Sequence, residues 1–400
     1  MGQVDRACDE SEYVKSDTVL FLARNMHLGG AERALLLYLN HVAALRPVLL
    51  LLSREGRLLS ELRSDLPVFH VAGSAEAAAY RGRVHQVTTL LQECRRLRAV
   101  VTDTGAAVVS SFLMRSHIVA LLTKIALRAR VRVVLNVHEH MTESAAYLYP
   151  TWIDRALMRA ITRYLFPRAD RIVAVAEGVK QDLVTNFAIP AERITVVHNP
   201  IDTQNVQQRA RDGPTPLGGA VGRRWVIAVG RLVPLKGYDC LIEAFARLPP
   251  SLDAGLAIVG DGPERPRLEA LIRRLGLGDR ARLVEAQSNP WRYMAQAELL
   301  VLSSFTEAFP NVFGEAMALG LPILSTDCGA GVREYLEDGR SGLLVPPGDA
   351  AALADGLRRL LTEGELRRRL VEHGRQRVAA LDLPRAVRAY ERLLTDVVKA

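Results

Sequence analysis

Short runs of β-branched residues and leucine alternate with longer amphipathic segments along most of the chain. In the first half, seven such runs predict strands: TVLFLAR, RPVLLLL, LPVFHV, AAVVSSF, VRVVLNVH, RIVAVA and ITVVHN. Segments with the apolar spacing of helices, such as GGAERALLLYLNHVAAL, lie between most of them. Strands and helices that alternate in this way are typical of a mainly parallel, doubly wound α/β sheet.

The alternation stops once and then begins again. Residues 209–224, RARDGPTPLGGAVGRR, lack apolar periodicity and are crowded with glycine and proline, which is typical of a linker. Six more strand-like runs follow: WVIAVG, LAIVG, ARLVEA, ELLVLSS, LPILSTD and GLLVP. The sequence therefore predicts two Rossmann-like domains, 17–208 and 225–380, that face a central cleft. We expect a flexible tail at 1–16 and a final helix at 381–400 that packs back on the first domain.

The composition is that of an ordinary globular enzyme, with 24% charged and 49% hydrophobic residues. No apolar run approaches the ~20 residues of a membrane-spanning helix, and the first sixteen residues lack the pattern of a signal sequence. The four cysteines, Cys8, Cys94, Cys240 and Cys328, are far apart and form no CxxC pair. Neither a disulfide framework nor a zinc ribbon is implied, so we expect a cytoplasmic location.

The formal net charge of +8 is unevenly distributed along the chain. Residues 1–210 hold 26 basic against 20 acidic residues, and residues 115–171 alone hold ten against four. This excess suggests an anionic partner, such as a phosphorylated ligand or an acidic lipid surface. No nucleic-acid partner is expected, because no aromatic-studded basic strand or recognition helix is evident.

Glycine-containing turns follow several predicted strands, and in open α/β sheets ligands bind beyond the carboxyl ends of the strands. Gly29 and Gly30 in MHLGGAER open a helix, whose free amides stabilise anions. A purely structural turn is an equally good interpretation, since neither GxGxxG nor a P-loop is matched. Arg231 and Lys236 in VGRLVPLKGYD suit a pyrophosphate, although two solvated charges explain them as well.

The stretch LLVLSSFTEAFPNVFGEAMALG predicts a strand, a loop and a helix. Pro310 suits the first helical turn, and Asn311 and Val312 would then present free amides at the positive end of the helix dipole. Glu307 lies in the loop, and Glu315 lies about a turn and a half into the helix. The two carboxylates would flank a phosphate that carries a ribose or a sugar, because carboxylates accept hydrogen bonds from hydroxyl groups. An ordinary helix start explains Glu307 adequately, but Glu315 less well.

His138 in VVLNVHEH follows a strong strand of the first domain and is therefore expected on the opposite wall of the cleft. A structural and a functional role are equally compatible with this position. Glu139 and His140 lie in the same loop and could be confused with His138. No Ser–His–Asp ordering, HExxH motif or Asp-x-Asp triplet is present, so no metal site is expected.

Together these stretches resemble the retaining glycosyltransferases of family 4, which have the two-domain GT-B fold. The strongest element is TEAFPNVFGEAMALGLPIL, in which seven residues separate Glu307 from Glu315. HNPID, GRLVPLKG, VGDGPE and DGRSGLLVPPGD occur in the order that the family shows. The resemblance covers nearly the whole chain after residue 17, and five segments at suitable spacing make chance a poor explanation.

The resemblance implies that the second domain binds a nucleotide-diphosphate sugar as co-substrate, without another cofactor. UDP is the commonest nucleotide of such donors, and GDP remains open. Arg231 and Lys236 would hold the diphosphate, Glu315 the ribose and Glu307 the transferred sugar. The backbone of three residues would assist Glu307: Phe309, Pro310 and Asn311. Arg231, Lys236 and Glu307 are therefore candidate catalytic residues.

The resemblance also implies roles for the first domain. Gly29 and Gly30 would close over the diphosphate, and His138, a further catalytic candidate, would contact the sugar near the reacting carbon. In this family the leaving phosphate is thought to help deprotonate the acceptor on the same face, so no enzyme nucleophile is required. One departure is Ala176 in AVAEGVKQDL, where the family often has serine, so a phosphate contact by that hydroxyl is absent.

The identity of the acceptor is the property that the sequence predicts least well. GGAER resembles family members that build surface polysaccharides or N-linked oligosaccharides on polyprenyl-diphosphate lipids, so we expect a glycan or lipid-linked acceptor. Arg155, Arg159 and Arg163 in IDRALMRAITRYLFPRAD form a cationic stripe beside an apolar face. A solvated helix face is the slightly preferred interpretation of the stripe, and peripheral contact with the anionic inner face of the plasma membrane is the alternative.

Two other functions remain open at this point. A GT-B sugar-nucleotide epimerase would carry extra acid/base residues in the cleft, which the sequence patterns do not reveal. A non-catalytic two-domain ligand-binding protein is the other alternative, and the charged residues expected in the cleft argue against it.

Overall fold

Two parallel sheets organise the protein. The computed structural model describes residues 17–71, 83–126, 131–149, 151–213, 217 and 223–399. The first sheet contains β1 (Thr18–Ala23), β2 (Arg46–Leu51), β3 (Val68–His70), β4 (Val108–Phe112), β5 (Arg132–Val137), β6 (Arg171–Ala174) and β7 (Ile194–Val196). The second contains β8 (Arg224–Val229), β9 (Ala254–Val259), β10 (Ala281–Val284), β11 (Ala297–Leu302), β12 (Ile323–Thr326) and β13 (Leu343–Val345). Every strand-like run in the sequence forms a strand, and the predicted α/β architecture is confirmed.

Helices connect the strands and cover the sheets. Those of the first half are α1 (Gly30–His41), α2 (Arg83–Thr104), α3 (Met114–Ala126), α4 (Met141–Leu148), α5 (Trp152–Leu165), α6 (Glu177–Phe187) and α7 (Thr203–Arg209). Those of the second half are α8 (Tyr238–Ala246), α9 (Arg265–Arg274), α10 (Trp291–Met294), α11 (Asn311–Ala318), α12 (Ala330–Leu336), α13 (Ala350–Thr362), α14 (Gly364–Ala380) and α15 (Leu383–Lys399). Strands β1 and β9 are buried at every position, which explains their continuous apolar runs.

The strand order of each sheet determines where a ligand crevice forms. The first sheet has the order β3-β2-β1-β4-β5-β6-β7, and the second has β10-β9-β8-β11-β12-β13. The chain therefore reverses its winding direction between β1 and β4 in the first sheet, and between β8 and β11 in the second. Crevices for ligands form at such reversal points, beyond the carboxyl ends of the strands. The loops after β1, β8 and β11 carry most of the residues that the sequence singled out.

The segment between the two sheets is described only in part. The predicted tail at 1–16 lies outside the described residues, as do 214–216 and 218–222 of the predicted linker. The last helix of the first half ends at Arg209, and β8 begins at Arg224. The two sheets are thus joined where the sequence loses its apolar periodicity.

Helix α15 packs against the first sheet, although the chain has already traversed the second. Its buried residues belong to the same apolar cluster as β1 and α1. The Tyr390 ring is fully buried and stacks on Tyr38 with a centroid distance of 4.1 Å. Its hydroxyl lies 2.6 Å from Ser110 Oγ on β4. The C-terminal helix is therefore an integral part of the first lobe and connects it covalently to the second.

Replacing Tyr390 by alanine should destabilise the protein by about 3–5 kcal/mol, because it leaves a cavity between α15, α1 and β4. The measurement is the free energy of unfolding in urea, followed by tryptophan fluorescence. Asp396→Ala on the exposed side of the same helix is the control and should change the free energy by less than about 0.5 kcal/mol. Equal effects of the two substitutions would show that α15 does not stabilise the first lobe.

Candidate functional site

Helix α11 points its amino end into the space between the two lobes. Pro310 takes the N-cap position, one residue earlier than the sequence predicts, and no side chain caps the helix. The fixed φ of proline, −70° here, suits both positions, and the chain leaves the loop with an extended ψ of 115°. The first amides of α11, which include that of Asn311, are therefore free of side-chain caps and form the positive end of the helix dipole.

Asn311 joins this helix end to the first lobe. Its Nδ2 donates to the carbonyl of Gly30 at 2.9 Å, and its Oδ1 accepts from Asn199 Nδ2 at 2.7 Å. Asn199 belongs to the HNPID segment and is buried. A Cβ atom at Gly30 would lie 3.6 Å from Asn311 Nδ2, so the turn and the helix end are in van der Waals contact. The structure thus brings Gly30 and Asn311 together across the cleft.

Lys236 and Glu307 form an ion pair beside α11. Lys236 Nζ donates to Glu307 Oε1 at 2.5 Å, and Ser304 Oγ donates to the same oxygen at 2.6 Å. Lys236 ends a 3₁₀ turn, and Gly237 follows it with φ of +59°. A Cβ at Gly237 would lie 2.3 Å from the carbonyl oxygen of Ser303, so only glycine allows the turn to approach β11 this closely.

Arg231 is an exposed cation of the cleft. Its side chain makes no hydrogen bond or ion pair with any residue that the structure describes. Burial raises the pKa of Glu32 and of Glu139, and the nearby Arg231 guanidinium offsets part of that rise in both. The sequence patterns did not single out Glu32, and they assigned Glu139 no role. The wall of the cleft opposite Lys236 therefore contains two carboxyl groups whose pKa values are raised.

Glu32 folds back over the amino end of α1. A Cβ at Gly29 would lie only 2.1 Å from Glu32 Oε2, so the absent side chain of Gly29 makes room for the carboxylate. A hydrogen bond from its own backbone amide lowers the pKa of Glu32, against the larger effect of burial. A carboxyl group of the protein itself thus already lies at the positive end of the α1 dipole.

His138 follows β5 on the first-lobe wall. Its ring stacks on Phe112 with a centroid distance of 5.5 Å, and Nδ1 is buried without a hydrogen-bond partner in the described ranges. Burial lowers the pKa of His138 to about 4. Burial lowers the pKa of its neighbour His117 to about 3, and Ser111 Oγ lies 2.8 Å from His117 Nδ1. Both imidazoles are therefore neutral at physiological pH.

Helix α4 of the first lobe contacts the loop that carries Glu307. Thr306 Oγ1 donates to Glu143 Oε2 at 2.8 Å, and the rings of Tyr147 and Phe305 stack at a centroid distance of 5.9 Å. These contacts hold the loop after β11 against the first lobe. No sequence pattern indicated them, because each pair comes from segments more than 150 residues apart.

Ala176 occupies the N-cap of α6 and is fully buried. The amide of Glu177 donates to Glu334 Oε2 from the second lobe at 2.7 Å, so a carboxylate already occupies the amino end of this helix. The hydroxyl that the family often has here would therefore lie at a contact between the lobes, not on an open phosphate site.

Glu315 lies one turn into α11, at the wall of a cavity of about 280 Å³. Burial raises the pKa of Glu315, and Arg33 on α1 lowers it by a smaller amount. The cavity lies between α1, α7, α10 and α11, and its polar lining includes Arg33, Asn40, Asp202, Asn205, Arg209 and Glu315. The two glutamates of the sequence signature thus have different surroundings: Glu307 is paired with lysine, and Glu315 faces the other lobe.

Family profiles match both halves of the chain. "Glycosyltransferase Family 4" matches residues 28–205, and "Glycosyl transferases group 1" matches residues 217–377. A Campylobacter jejuni enzyme, N-acetylgalactosamine-N,N'-diacetylbacillosaminyl-diphospho-undecaprenol 4-alpha-N-acetylgalactosaminyltransferase, is 31% identical over 271 residues, which are 68% of this chain and 71% of that protein. The chain belongs to glycosyltransferase family 4. The predicted family and the predicted enzyme class are confirmed, and the non-catalytic alternative is excluded.

Solved structures show the fold of this glycosyltransferase. HepE from Anabaena, in complex with UDP-glucose, superposes with a TM-score of 0.78 at 20% identity, over 95% of this chain and 99% of that chain.

A second C. jejuni relative matches almost the whole chain. It is named as an α-1,4-N-acetyl-D-galactosaminyltransferase that acts on an undecaprenol-linked glycan, and it is 24% identical over 96% of this chain and 99% of its own. The predicted GT-B fold is confirmed, with its cleft between the two lobes.

The stability of this glycosyltransferase should fall as the pH decreases from about 7 to about 5. His117 and His138 have folded-state pKa values of about 3 and about 4, below the ordinary 6.5, so only the unfolded chain binds these protons in that interval. Their contribution is complete above pH 6.5 and is lost on acidification, by up to about 1.4 kcal/mol per pH unit for each histidine.

Urea unfolding at several pH values measures this slope. His117→Gln, which cannot titrate in this range, should have a shallower slope than the unaltered protein, whatever its stability at pH 7. Identical slopes would contradict the neutral state of the buried His117.

Proposed function

We propose that this glycosyltransferase moves a sugar from a UDP-sugar to a glycan or lipid-linked acceptor, with retention of anomeric configuration. One observation carries the proposal: the amino end of α11 contacts the Gly30 turn of the opposite lobe, and the loop that leads into this helix carries Glu307, which pairs with Lys236. The site offers amides and cations for a diphosphate and carboxylates for hydroxyl groups on either side of it.

The diphosphate has two kinds of ligand available. Arg231 is exposed in the cleft and unpaired among the described residues, and its planar guanidinium suits two phosphate oxygens at once. The uncapped amides at the start of α11 add the favourable end of the helix dipole. Charge accumulates on the leaving diphosphate in the transition state, so fixed donors and cations stabilise that state more than the ground state.

The surroundings of Glu307 argue for a binding role. Its Oε1 already accepts hydrogen bonds from Lys236 and Ser304, which orients the carboxylate and withdraws charge from it. The other oxygen remains for a hydroxyl group of the transferred sugar. In the proposed reaction the acceptor oxygen attacks the anomeric carbon from the face that the diphosphate leaves. The departing phosphate oxygen takes the acceptor proton, and no enzyme nucleophile is needed.

His138 suits a contact with the neutral part of the donor. A neutral imidazole has one N–H donor and one acceptor nitrogen, so it pairs with a sugar hydroxyl in either direction. A charged imidazolium beside a developing oxocarbenium ion would oppose the reaction. The lowered pKa of His138 therefore agrees with the proposed position near the reacting carbon.

The comparisons support the donor and the acceptor class. HepE binds UDP-glucose in a closely similar fold, which supports a UDP-sugar here. The names of both C. jejuni relatives describe sugars transferred to undecaprenol-linked glycans, which supports a lipid-linked acceptor in surface-glycan synthesis.

Incubation with a panel of UDP- and GDP-sugars, with and without lipid-linked oligosaccharide acceptors, tests the function. We expect UDP release that depends on the acceptor and a product that retains the anomeric configuration. Arg231→Ala/Lys236→Ala should lower kcat by at least about a hundredfold, because a cation proposed for the leaving diphosphate and the partner that orients Glu307 are both lost.

Arg273→Ala/Arg274→Ala on exposed α9 removes the same charge and is the control, with an unchanged rate expected. A normal rate in the cleft variant would refute the diphosphate assignment. An epimerised nucleotide sugar formed without acceptor would instead support the epimerase, for which Glu32 and Glu139 are available acid/base groups.

Helix α5 supports peripheral contact of this enzyme with an anionic bilayer. Large apolar side chains on this helix face the solvent, among them Trp152 (72% exposed), Leu157 (58%) and Tyr164 (65%). Arg159 and Arg163 are exposed beside this apolar surface. Aromatic and leucine side chains enter the headgroup region while arginines bind anionic lipids, and this combination is typical of helices that lie in a membrane interface. No helix in the described part of the chain has the length and apolarity to span a bilayer.

Co-sedimentation with vesicles tests the membrane contact. The protein should bind vesicles that contain phosphatidylglycerol, and Arg159→Glu/Arg163→Glu should weaken binding by at least about tenfold, since each basic residue near the surface contributes about 1 kcal/mol. Arg273→Glu/Arg274→Glu on α9 carries the same charge change and should bind normally. Equal loss in both variants would show that only net charge, not this helix, binds the lipid.

A further inference from the structure

Arg33 extends from the first lobe to Glu315 in the second. Arg33 Nε lies 4.0 Å from Glu315 Oε1, and the two side chains are only 15% and 9% exposed. Electrostatic attraction between charges is stronger in such a water-poor space than at the surface. The proposed function gives Arg33 no role, although Arg33 lines the Glu315 cavity and belongs to the GGAER segment of the sequence.

Trp291 fixes the position of the Arg33 guanidinium. The guanidinium carbon of Arg33 lies 5.0 Å from the centroid of the Trp291 ring, within the range of cation–π attraction. Arg209 lies over the same ring at 5.1 Å, but it pairs with Glu61 at 2.7 Å and not with Glu315. Arg33 is therefore held on one side by an aromatic ring and directed toward the carboxylate on the other.

A nearby cation such as Arg33 favours the ionised form of the Glu315 carboxyl group, which burial disfavours. Burial raises its pKa, and the largest opposing effect comes from Arg33. Another titratable group near Glu315 is the buried hydroxyl of Tyr335 on α12, whose pKa is raised by burial and, to a smaller extent, by Glu315. A protonated Glu315 would be a poorer acceptor for two neighbouring hydroxyl groups than an ionised one.

We propose that Arg33 is a positioning residue that keeps Glu315 ionised and oriented for the ribose of the donor, so that nucleotide affinity depends on contact between the lobes. The inference rests on the proposed function, in which Glu315 accepts the ribose hydroxyls. The amides proposed for the diphosphate lie at the amino end of α11, whereas Arg33 acts one turn further along the helix. Closure of the lobes would then improve the binding of the ribose as well as that of the phosphates.

Isothermal titration of the full chain with UDP tests the proposal through five variants: Glu315→Gln, Arg33→Met, Arg33→Lys, Arg209→Met and Arg33→Met/Glu315→Gln. Glu315→Gln should weaken UDP binding about tenfold, because hydrogen bonds to a charged group are lost. Arg33→Met should weaken it several-fold at pH 8, and the loss should increase toward that of Glu315→Gln as the pH is lowered to about 6, because without Arg33 burial raises the pKa of Glu315 unopposed by this cation. Each value is compared with the unaltered protein at the same pH, since a terminal phosphate also titrates near pH 6.

The double variant separates positioning from general structural damage. If Arg33 acts through Glu315, Arg33→Met should have almost no further effect once Glu315 is glutamine, and Arg33→Lys should restore most of the affinity. Arg209→Met removes the second cation from Trp291 and should leave the pH dependence of UDP binding unchanged.

The outcomes distinguish this inference from the proposed function. Normal UDP affinity in Glu315→Gln would overturn the ribose assignment itself, and absence of UDP binding by the unaltered protein would overturn the donor. A weakened Glu315→Gln together with a normal Arg33→Met, or with a loss in Arg33→Met that is independent of pH and additive with Glu315→Gln, would overturn only the role of Arg33.

Discussion

The contact of Asn311 with both lobes is the constraint on which the site depends. A helix end with free amides is favourable for an anion but costs free energy when it is buried and unsatisfied. Here the side chain at the first helical position bonds Gly30 on one side and Asn199 on the other, so the first lobe holds the helix end in the cleft without capping its amides. The amides remain available for a ligand, and the position of the Gly30 turn over them is set by the same two hydrogen bonds.

Around this helix end, the protein uses its own charged groups to organise the cleft. Lys236 and Ser304 orient Glu307, Arg33 faces Glu315, and Glu32 lies at the end of α1. These pairs keep buried charges partnered, which avoids the large cost of an isolated ion in a dry space. Arg231 is different, because it is exposed and unpaired among the described residues, as suits a cation whose partner arrives with the substrate.

Much of the fold could be predicted from the sequence because it follows from local patterns of apolar and turn-forming residues. Continuous apolar runs of five or six residues predict strands that are buried on both faces, and every such run forms a strand. The glycine turns and the EAFPNVFGEAM segment lie at carboxyl ends of strands, so their sequence alone pointed to Gly30, Lys236, Glu307 and Asn311. Glu32, Arg33 and Trp291 went unnoticed, since a charged or aromatic residue in an amphipathic helix has no distinctive local pattern.

The sequence by itself thus determined the two α/β lobes, their order and the segments that line the cleft, because hydrophobic periodicity and turn chemistry act over a few residues. Only the tertiary structure decided which residues meet. Arg33 and Glu315 are separated by 282 positions in the sequence. Gly30 and Asn311, which also meet across the cleft, are separated by 281. Their contact depends on how two separately folded sheets pack, and the resulting burial sets the protonation of Glu315 and His138. The protonation of a side chain in the cleft depends on its three-dimensional surroundings, and a local stretch of sequence does not specify these.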